Sequence, residues 1–287
     1  MPDPVISIKG LRKSYGETEA VRGIDLEVNR GEVFAFLGPN GAGKTTTVEI
    51  LEGYRKRSGG GVTVLGEDPE RAGREWRERV GIVLQGGRPD PYLTVRESLD
   101  LYAGYFRAPR PTEEVISLVG LEGKAAERAS RLSGGQQRRL DVGMALVGDP
   151  ELLFLDEPTT GFDPSARRQA WDVIAGLRDL GKTVFLTTHY MDEAQRLADR
   201  VTIIAAGQIV AQGTPEDLGE RDAGATTIRY RRDGREVVTQ TATPVETLHE
   251  LTEKALADGE ELEGLEVTRP SLEDVYLELT ASSEAAE

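Results

Sequence analysis

The stretch GPNGAGKTT, residues 38–46, decides the fold of this chain. It follows the apolar run EVFAFLG (32–38) and precedes TTTVEILEGY (45–54), so the sequence predicts a strand, a loop and a helix in turn. The spacing is that of a phosphate-binding loop, whose glycines let backbone N–H groups converge on phosphate oxygens. The residues that we expect to form this nucleotide site are Gly38, Pro39, Asn40, Gly41, Ala42, Gly43, Lys44, Thr45 and Thr46.

Four side chains in and beyond this loop suggest the chemistry of the site. Lys44 supplies positive charge to the β- and γ-phosphates, and the Thr45 hydroxyl can bind Mg²⁺. The strand LLFLDEP (152–158) ends in two carboxylates. Asp156, at the strand end that faces the loop, suits Mg²⁺ coordination, whereas Glu157 points to the other face and is free to orient or deprotonate water. The alternative is that the two carboxylates only cap the following turn.

Three polar stretches elsewhere in the chain are candidates for the same site. His189 follows the apolar strand TVFLTT (183–188) and could reach a γ-phosphate, while Gln85 ends another predicted strand. A lone histidine is more often structural, and a glutamine at a strand end could equally be a surface amide. LSGGQQRR (132–139) places a serine and two glycines ahead of a helix, which predicts a second anion-binding helix start.

Strands and helices alternate along most of the chain. Short strands are predicted at 5–8 and 24–28, and others at 62–66 and 201–207. Helical patterns dominate from residue 94 to about 128. We therefore expect a parallel α/β sheet with an antiparallel N-terminal portion and an added helical segment.

The composition changes near GTPEDL (213–218). Beyond it, TTIRYRRDGREVVTQT (226–241) predicts a hairpin that turns at Asp233-Gly234, and a helix, a strand and a helix with proline at its start follow. This order indicates a small appended α+β domain. We expect a first domain over residues 1–218 and a second over 219–287, with only the terminal ASSEAAE disordered.

The composition of the chain excludes several classes of protein. The 287 residues include no cysteine, which excludes disulfides and thiolate metal sites, and His189 and His249 are too isolated to build a metal site. No apolar run approaches the ~18–20 residues that cross a bilayer, and the N-terminus lacks the pattern of a secretory signal, so we expect a cytosolic protein.

The net charge is −15, and residues 216–287 hold 19 acidic against 7 basic residues. Because acidic surfaces repel polyphosphate, we expect no nucleic acid partner.

Taken in order, these motifs resemble those of the ATP-binding subunits of ABC transporters. GPNGAGKTT is similar to the family's Walker A motif, LSGGQ (132–136) to its signature and LLFLDEP to its Walker B motif. Gln85 and His189 resemble the family's Q-loop glutamine and switch histidine, and Tyr15 stands at the position of its adenine-stacking aromatic. Phe162-Asp163 resembles the D-loop, in which leucine is commoner than phenylalanine. The resemblance covers about residues 4–218.

The resemblance implies a fold, two cofactors and a role for each candidate residue. The fold is α/β: an ABC-type P-loop ATPase domain with a RecA-like core, an antiparallel β subdomain and a helical signature subdomain, followed by the small C-terminal α+β domain. The cofactors are ATP and Mg²⁺. Catalysis falls to Glu157, His189 and Gln85, and metal binding to Thr45, Gln85 and Asp156. Outside the phosphate loop, the implied nucleotide contacts are Tyr15, Ser133, Gly134, Gly135, Gln136 and Asp163.

The family also explains why one chain carries two anion-binding motifs. Its ATP sites are composite, because two subunits pack head to tail and each signature caps the ATP that the other's phosphate loop holds. Ser133, Gly134 and Gly135 would therefore serve a neighbour's γ-phosphate. The resemblance thus implies a second ATPase subunit, and the intact motifs favour a homodimer.

The C-terminal ending narrows the resemblance further. RPSLEDVYLELT (269–280) is similar to the ending of the ATP-binding subunits of ABC-2-type exporters, the group that contains daunorubicin-resistance ATPases. This implies a separate transmembrane permease and a location on the inner face of the cell membrane. Two alternatives stay open: the ATPase of an ABC importer, which shares every nucleotide motif, and a soluble ABC-type ATPase without a membrane partner.

The family's Q-loop region predicts where the permease would dock. The segment at about 86–106 follows Gln85 and contains five apolar or aromatic residues: Tyr92, Leu93, Tyr102, Tyr105 and Phe106. Exposed, these side chains could receive a helix of the permease. For the last three, the alternative is that they fill the core of the helical segment itself.

Overall fold

The computed structural model describes residues 4–221, 226–232, 235–259, 261–268 and 272–277. The chain divides into two compact units, residues 1–212 and 213–287. The domain boundary that we predicted after residue 218 lies a few residues beyond this division. The predicted hairpin turn at Asp233-Gly234 and the predicted disordered end at 281–287 lie outside the described residues.

The elements of the described residues are numbered in chain order. The strands are β1 (Ile6–Tyr15), β2 (Thr18–Val28), β3 (Val33–Leu37), β4 (Gly59–Val64), β5 (Val80–Val83), β6 (Leu152–Asp156), β7 (Thr183–Thr188), β8 (Arg200–Ala205), β9 (Gln208–Gly213), β10 (Thr226–Arg232), β11 (Arg235–Thr241) and β12 (Glu263–Thr268). The helices are α1 (Lys44–Leu51), α2 (Arg74–Glu78), α3 (Val95–Ala103), α4 (Thr112–Leu118), α5 (Gly134–Leu146), α6 (Pro164–Asp179), α7 (Met191–Leu197), α8 (Pro215–Arg221) and α9 (Pro244–Asp258).

A six-stranded sheet forms the centre of the first unit. Its strand order is β5-β6-β7-β3-β8-β9, and the pairs from β5 to β8 are parallel. The carboxyl ends of β3, β5, β6 and β7 therefore lie along one edge of the sheet, where ligands bind in open parallel sheets. This edge carries the phosphate loop after β3 and the two carboxylates at the end of β6. The predicted parallel α/β architecture is confirmed.

Both faces of this sheet are covered, which explains why its strands read as continuous apolar runs. Phe34, Phe154 and Phe185 lie in one core cluster with residues of α1 and of the three-stranded antiparallel sheet β2-β1-β4. Leu153 and Leu186 belong to a second cluster with residues of α3, α4, α5 and α6. Alternate side chains of one strand thus enter two cores, because successive residues of a strand point to opposite faces.

The antiparallel sheet is more extensive than the sequence predicted. The apolar pattern indicated strands at 5–8 and 24–28, whereas β1 and β2 continue through polar residues to Tyr15 and Thr18. Likewise β4 begins at Gly59, three residues before the predicted strand. Its glycines carry no apolar signal, but a Cβ at Gly60 would lie 2.3 Å from the carbonyl oxygen of Gly10, so the close approach of β1 requires glycine there.

The second unit is built around a small antiparallel sheet in the order β11-β10-β12. The predicted strands and helix are present as β10, β11, β12 and α9, and residues 272–277 are helical. Ile228 and Tyr230 of β10 are buried, as are Leu272 and Val275. Across the described ranges of both units, every helix is too short or too polar to cross a bilayer.

Candidate functional site

The phosphate loop connects β3 to α1 and depends on glycine for its shape. Gly41 and Gly43 have φ angles of 83° and 101°, which favour glycine. A Cβ at Gly43 would lie 2.5 Å from the carbonyl oxygen of Ala20, and one at Gly38 would lie 2.3 Å from that of Ile204. The start of α1 has no side-chain cap, so its backbone N–H groups are available to an anion.

Lys44 is buried at the start of α1, and its ammonium group lies inside the loop. Its Nζ donates hydrogen bonds to the carbonyl oxygens of Gly38 at 2.6 Å and Pro39 at 3.0 Å. Burial lowers the pKa of Lys44, while the negative charges of Glu157 and Asp156 oppose this shift. The cation is thus in the field of both carboxylates. Thr45 is exposed and Thr46 half-buried beside it, as nucleotide contact requires.

The end of β6 places the two acidic side chains in different surroundings. Asp156 accepts a hydrogen bond from the Thr187 hydroxyl at 2.5 Å, since Asp156 and Thr187 are register partners in β6 and β7. Glu157 leaves the strand with a φ of 45°, and its backbone N–H donates to Thr187 at 3.1 Å. The left-handed backbone of Glu157 ends the extended conformation of β6.

Three polar side chains converge on the Glu157 carboxylate. Gln85 Nε2 and Thr160 Oγ1 donate to its Oε2 at 2.7 and 3.0 Å. The Nδ1 atom of His189 lies 3.4 Å from Oε1. The structure therefore brings together the three residues to which the resemblance assigns catalysis, from the ends of β5, β6 and β7. The bond from Thr160 lies within the turn after β6, whereas Gln85 and His189 reach Glu157 from other strands.

The sequence missed three residues that hold this arrangement. Thr160 and Thr187 bond to Glu157 and Asp156, and Tyr190 stacks on His189 with ring centroids 4.1 Å apart. The Arg167 guanidinium lies 4.1 Å from the centre of the Tyr190 ring, on its way to Asp192. The only sequence signal for these residues is their position next to a motif, which gives no partner and no direction.

The donor set at this edge fits a magnesium ion. Asp156, Thr45 and Gln85 offer oxygen ligands, which Mg²⁺ prefers, and Mg²⁺ usually takes few protein ligands because it keeps waters and binds substrate phosphates. Within the described ranges, no three or more His, Cys, Asp or Glu side chains are grouped as an all-protein metal site would need. The prediction that the glycine-rich loop beside Lys44 binds the phosphates stays a prediction.

The signature residues form the start of α5. Ser133 caps this helix: its hydroxyl accepts from the Gln136 N–H at 3.3 Å, and the Gln136 side chain accepts from the Ser133 N–H at 3.0 Å. Ser133 and Gly134 are exposed, and a Cβ at Gly135 would lie 3.0 Å from the Cβ of Ala166 in α6. These hydrogen bonds stay within the helix start, so the structure does not bring the signature to Glu157.

Tyr15 and Asp163 also lie apart from the residues gathered around Glu157. Tyr15 ends β1 with its ring 42% exposed, and Lys13 Nζ and Arg55 Cζ lie 4.9 and 5.3 Å from the ring centre. Asp163 caps α6 by accepting from the N–H groups of Ser165 and Ala166 at 2.8 and 2.9 Å, and these bonds lower its pKa. Their nucleotide roles stay predictions.

Comparison with known proteins identifies the family of this chain. The family model described as ABC transporter matches residues 21–160. The Nod factor export ATP-binding protein I of Rhizobium meliloti is 40% identical over 297 residues, covering 97% of this chain and 89% of that protein. The chain belongs to the ABC transporter ATP-binding family. A second relative, the Nod factor export ATP-binding protein I of Cupriavidus pinatubonensis, is 40% identical over 258 residues, covering 88% of this chain and 79% of that protein.

Solved ABC cassettes share the fold. The chain resembles cbiO1 from Clostridium perfringens, part of the ABC transporter complex cbiONQ, with a TM-score of 0.70 and 27% identity over 76% of this chain and 92% of that one. It also resembles the ATP-binding cassette MJ0796, solved as a dimer in a post-hydrolysis state bound to ADP and Pi, with a TM-score of 0.64 and 25% identity over 73% of this chain and 98% of that one.

Membership of the family confirms the predicted fold class and the predicted ATPase activity. The chain is a nucleotide-binding, ATP-hydrolysing ABC ATPase with the ABC cassette fold, and dimerisation and a membrane transporter partner follow from the family. The role of each site residue, the magnesium ion and the type of permease stay predictions.

Proposed function

We propose that this chain is the ATPase subunit of an ABC-2-type exporter, in which two head-to-tail copies bind MgATP and drive a separate permease at the inner face of the cell membrane. The observation that carries the ATPase role is the convergence of Gln85, Thr160 and His189 on the Glu157 carboxylate. Export is supported by relatives named for Nod factor export, one of which matches 97% of this chain and therefore includes its second unit.

The geometry around Glu157 supports a role as the base that activates water. Gln85 and Thr160 both donate to Oε2, whereas Oε1, which lies 3.4 Å from His189 Nδ1, can accept the proton of an attacking water. His189, on the Oε1 side, is placed to contact both this water and a γ-phosphate. Lys44 and the loop N–H groups hold the phosphate oxygens. When bound, Mg²⁺ would supply charge neutralisation on those oxygens, held by Thr45, Asp156 and Gln85.

The exposed signature supports the head-to-tail arrangement. Ser133 and Gly134 are accessible at the start of α5, where unpaired N–H groups attract an anion. Their hydrogen bonds do not reach the chain's own Lys44, whereas a second copy could present its ATP to them. Both motif halves are intact in this chain, which favours two identical subunits, and the dimeric MJ0796 cassette provides a structural precedent.

A groove next to the Q-loop supports the permease contact. Two adjoining cavities of about 550 and 260 Å³ share Arg88, Tyr102 and Met144 in their walls. Tyr102 and Tyr105 are 41% and 63% exposed, so they do not fill the core of the helical segment. Phe106 does pack against that core, which is the alternative that we considered for it. We propose that a cytoplasmic helix of the permease binds in this groove.

Replacement of Glu157 by glutamine tests the function. Glu157→Gln keeps the shape of the side chain but removes the proton acceptor, so we expect ATP hydrolysis to fall by about 10²–10⁴-fold. ATP binding should persist, because Lys44 and the loop are unchanged, and an ATP-bound dimer should accumulate on size-exclusion chromatography. Glu75→Gln, an exposed carboxylate paired with Arg107, is the matched control. Near-normal turnover of Glu157→Gln, or its failure to bind ATP, would contradict the assignment.

A further inference from the structure

Arg138 is a buried arginine on α5 to which the proposed mechanism gives no role. Its guanidinium makes three hydrogen bonds, all to backbone carbonyl oxygens: Nη1 to Leu84 at 2.5 Å, Nη2 to Asp156 at 2.6 Å and Nε to Pro158 at 3.3 Å. Hydrogen bonds from a charged guanidinium are about twice as strong as neutral ones, and the planar fork fixes their directions. One side chain thus holds the ends of two neighbouring strands.

The three carbonyls belong to residues adjacent in sequence to the catalytic candidates. Leu84 immediately precedes Gln85, and Asp156 and Pro158 lie on either side of Glu157. The register of β5 and β6 ends at the pair Val83 and Leu155, so these carbonyls lie beyond the ladder that pairs the two strands. Beyond the last paired residues of β5 and β6, the hydrogen bonds of Arg138 connect the two chain segments. The hydrogen bond from Gln85 to Glu157 depends on the relative placement of these two chain segments.

Arg138 lies on the same helix as the signature residues. Arg138 lies on the second turn of α5, the helix that Ser133 caps, and Gly135 of the same helix packs closely against Ala166 of α6. Asp141, one turn further along, lies 4.0 Å from Arg138 and lines the groove beside the Q-loop. Its distance exceeds that of a hydrogen bond, so Arg138 directs its donors to the carbonyls rather than to Asp141.

We propose that Arg138 is a positioning residue that ties the signature helix to the catalytic ends of β5 and β6, so that Gln85 and Glu157 keep their productive geometry only while α5 is in place. The proposal rests on the assignment of Glu157 as the base. Because α5 begins with the residues that would cap the partner's ATP, a displacement of the signature would be transmitted to the chain's own Glu157. A merely structural arginine would instead contribute stability without this dependence.

Two substitutions of Arg138 distinguish a positioning role from a purely structural one. Arg138→Met keeps much of the apolar stem but removes all three hydrogen bonds, and misplacement of a catalytic group by about 1 Å can cost about 10²-fold in rate. We expect kcat to fall by about 10–10²-fold while the dissociation constant for ATP changes by less than about twofold. Arg138→Lys keeps the charge on a single nitrogen and should give an intermediate kcat. This second variant keeps the proposal testable if Arg138→Met does not fold.

The control is Arg57→Met. Arg57 is a partly buried arginine that bonds to both carboxylate oxygens of Asp68 and to the Gly60 carbonyl, so its loss also removes three hydrogen bonds. None of these partners belongs to the site. Arg57→Met should therefore lower the melting temperature but leave kcat near that of the wild type. An equal loss of kcat in Arg57→Met and Arg138→Met would overturn the positioning role.

A double-mutant cycle identifies the residue through which Arg138 acts. If Arg138 only places Glu157 and its neighbours, adding Arg138→Met to Glu157→Gln should reduce single-turnover hydrolysis little further, since residues that act as a unit are strongly non-additive. Losses that multiply fully would show that Arg138 acts elsewhere. If Glu157→Gln itself hydrolyses ATP normally, the proposed function fails, and this outcome is distinct from a failure of Arg138→Met to lower kcat.

Discussion

Glu193 is a fully buried residue of α7, and its side chain contacts the turn after β6 and helix α6. Its Oε1 accepts hydrogen bonds from Thr159 Oγ1 at 2.8 Å and from Trp171 Nε1 at 2.9 Å. Burial raises the pKa of Glu193, against the opposing effect of hydrogen bonds from the side chains of Thr188, Thr159 and Trp171. Through these hydrogen bonds the Glu193 carboxyl group joins the chain after Glu157 to the helix after His189.

The raised pKa predicts how stability changes with pH. Between the usual carboxyl pKa and the raised one, the folded state retains a proton that the unfolded state has released, so stability falls as pH rises through this window, by about 1.4 kcal/mol per pH unit. Glu193→Gln lacks this ionisation. We expect the stability of the wild type relative to Glu193→Gln, measured by urea unfolding, to decrease as pH rises above the usual carboxyl pKa. With Glu75→Gln as the exposed control, parallel curves for Glu193→Gln and wild type would refute this.

At the scale of single elements, α3 presents an apolar face that its own core does not use. Leu101 of α3 and Tyr105, which lies two residues beyond the end of α3, line the larger cavity of the groove and are 50% and 63% exposed, whereas Val95 and Leu99 of α3 are fully buried. The helix therefore has one face in the core and a second apolar face in the groove. The permease is the partner that we propose for this second face.

Charge on this face of α3 should separate transport from hydrolysis. Leu101→Glu and Tyr105→Glu place a carboxylate where an apolar helix surface would bind, so we expect co-purification with the permease subunit and transport to fall by at least about tenfold. ATP hydrolysis by the isolated subunit should be retained, because neither residue contacts the phosphate loop or Glu157. Leu256→Glu, at an 82% exposed leucine of α9, is the control. Normal co-purification and transport in both groove variants would place the contact elsewhere.

Local patterns predicted those elements whose signal is local. The succession of strand, loop and helix at 32–54 and the apolar strands of the parallel sheet were correctly predicted from spacing. The extent of β1, β2 and β4 was not, because their polar residues and glycines are fixed by pairing with distant strands. For the same reason the burial of Arg138 and Glu193 could not be predicted from the sequence, because the hydrogen-bond partners of Arg138 are 18 to 54 residues away and those of Glu193 are 22 to 34 residues away.

At the scale of the whole molecule, one chain supplies half of each of two ATP sites in the proposed dimer. A mixed dimer tests this. Lys44→Ala breaks a phosphate loop and leaves its signature intact, whereas Ser133→Arg blocks the signature and leaves its loop intact. Each homodimer should be nearly inactive, since every site contains one broken half. Mixing should restore hydrolysis to at most about half of the wild-type rate, because one site then combines both intact halves.

The control for the mixed dimer addresses the helix cap. Ser133→Arg removes an N-cap, which costs about 1 kcal/mol, and Thr94 forms the same capping box at the start of α3 with Glu97. Thr94→Arg should therefore show a comparable loss of stability with normal hydrolysis. A Ser133→Arg chain that hydrolyses ATP as a monomer at the wild-type rate would show that the signature does not act in trans.

The left-handed backbone of Glu157 brings stability and activity into conflict at a single position. A residue other than glycine or asparagine in this conformation costs about 1–2 kcal/mol, and Glu157 adopts it with a φ of 45° while its carboxylate bonds to Gln85. Glycine at position 157 would relieve this strain but would remove the proposed base. Substitutions that raise the stability of this chain and keep the proposed activity must therefore lie at other positions.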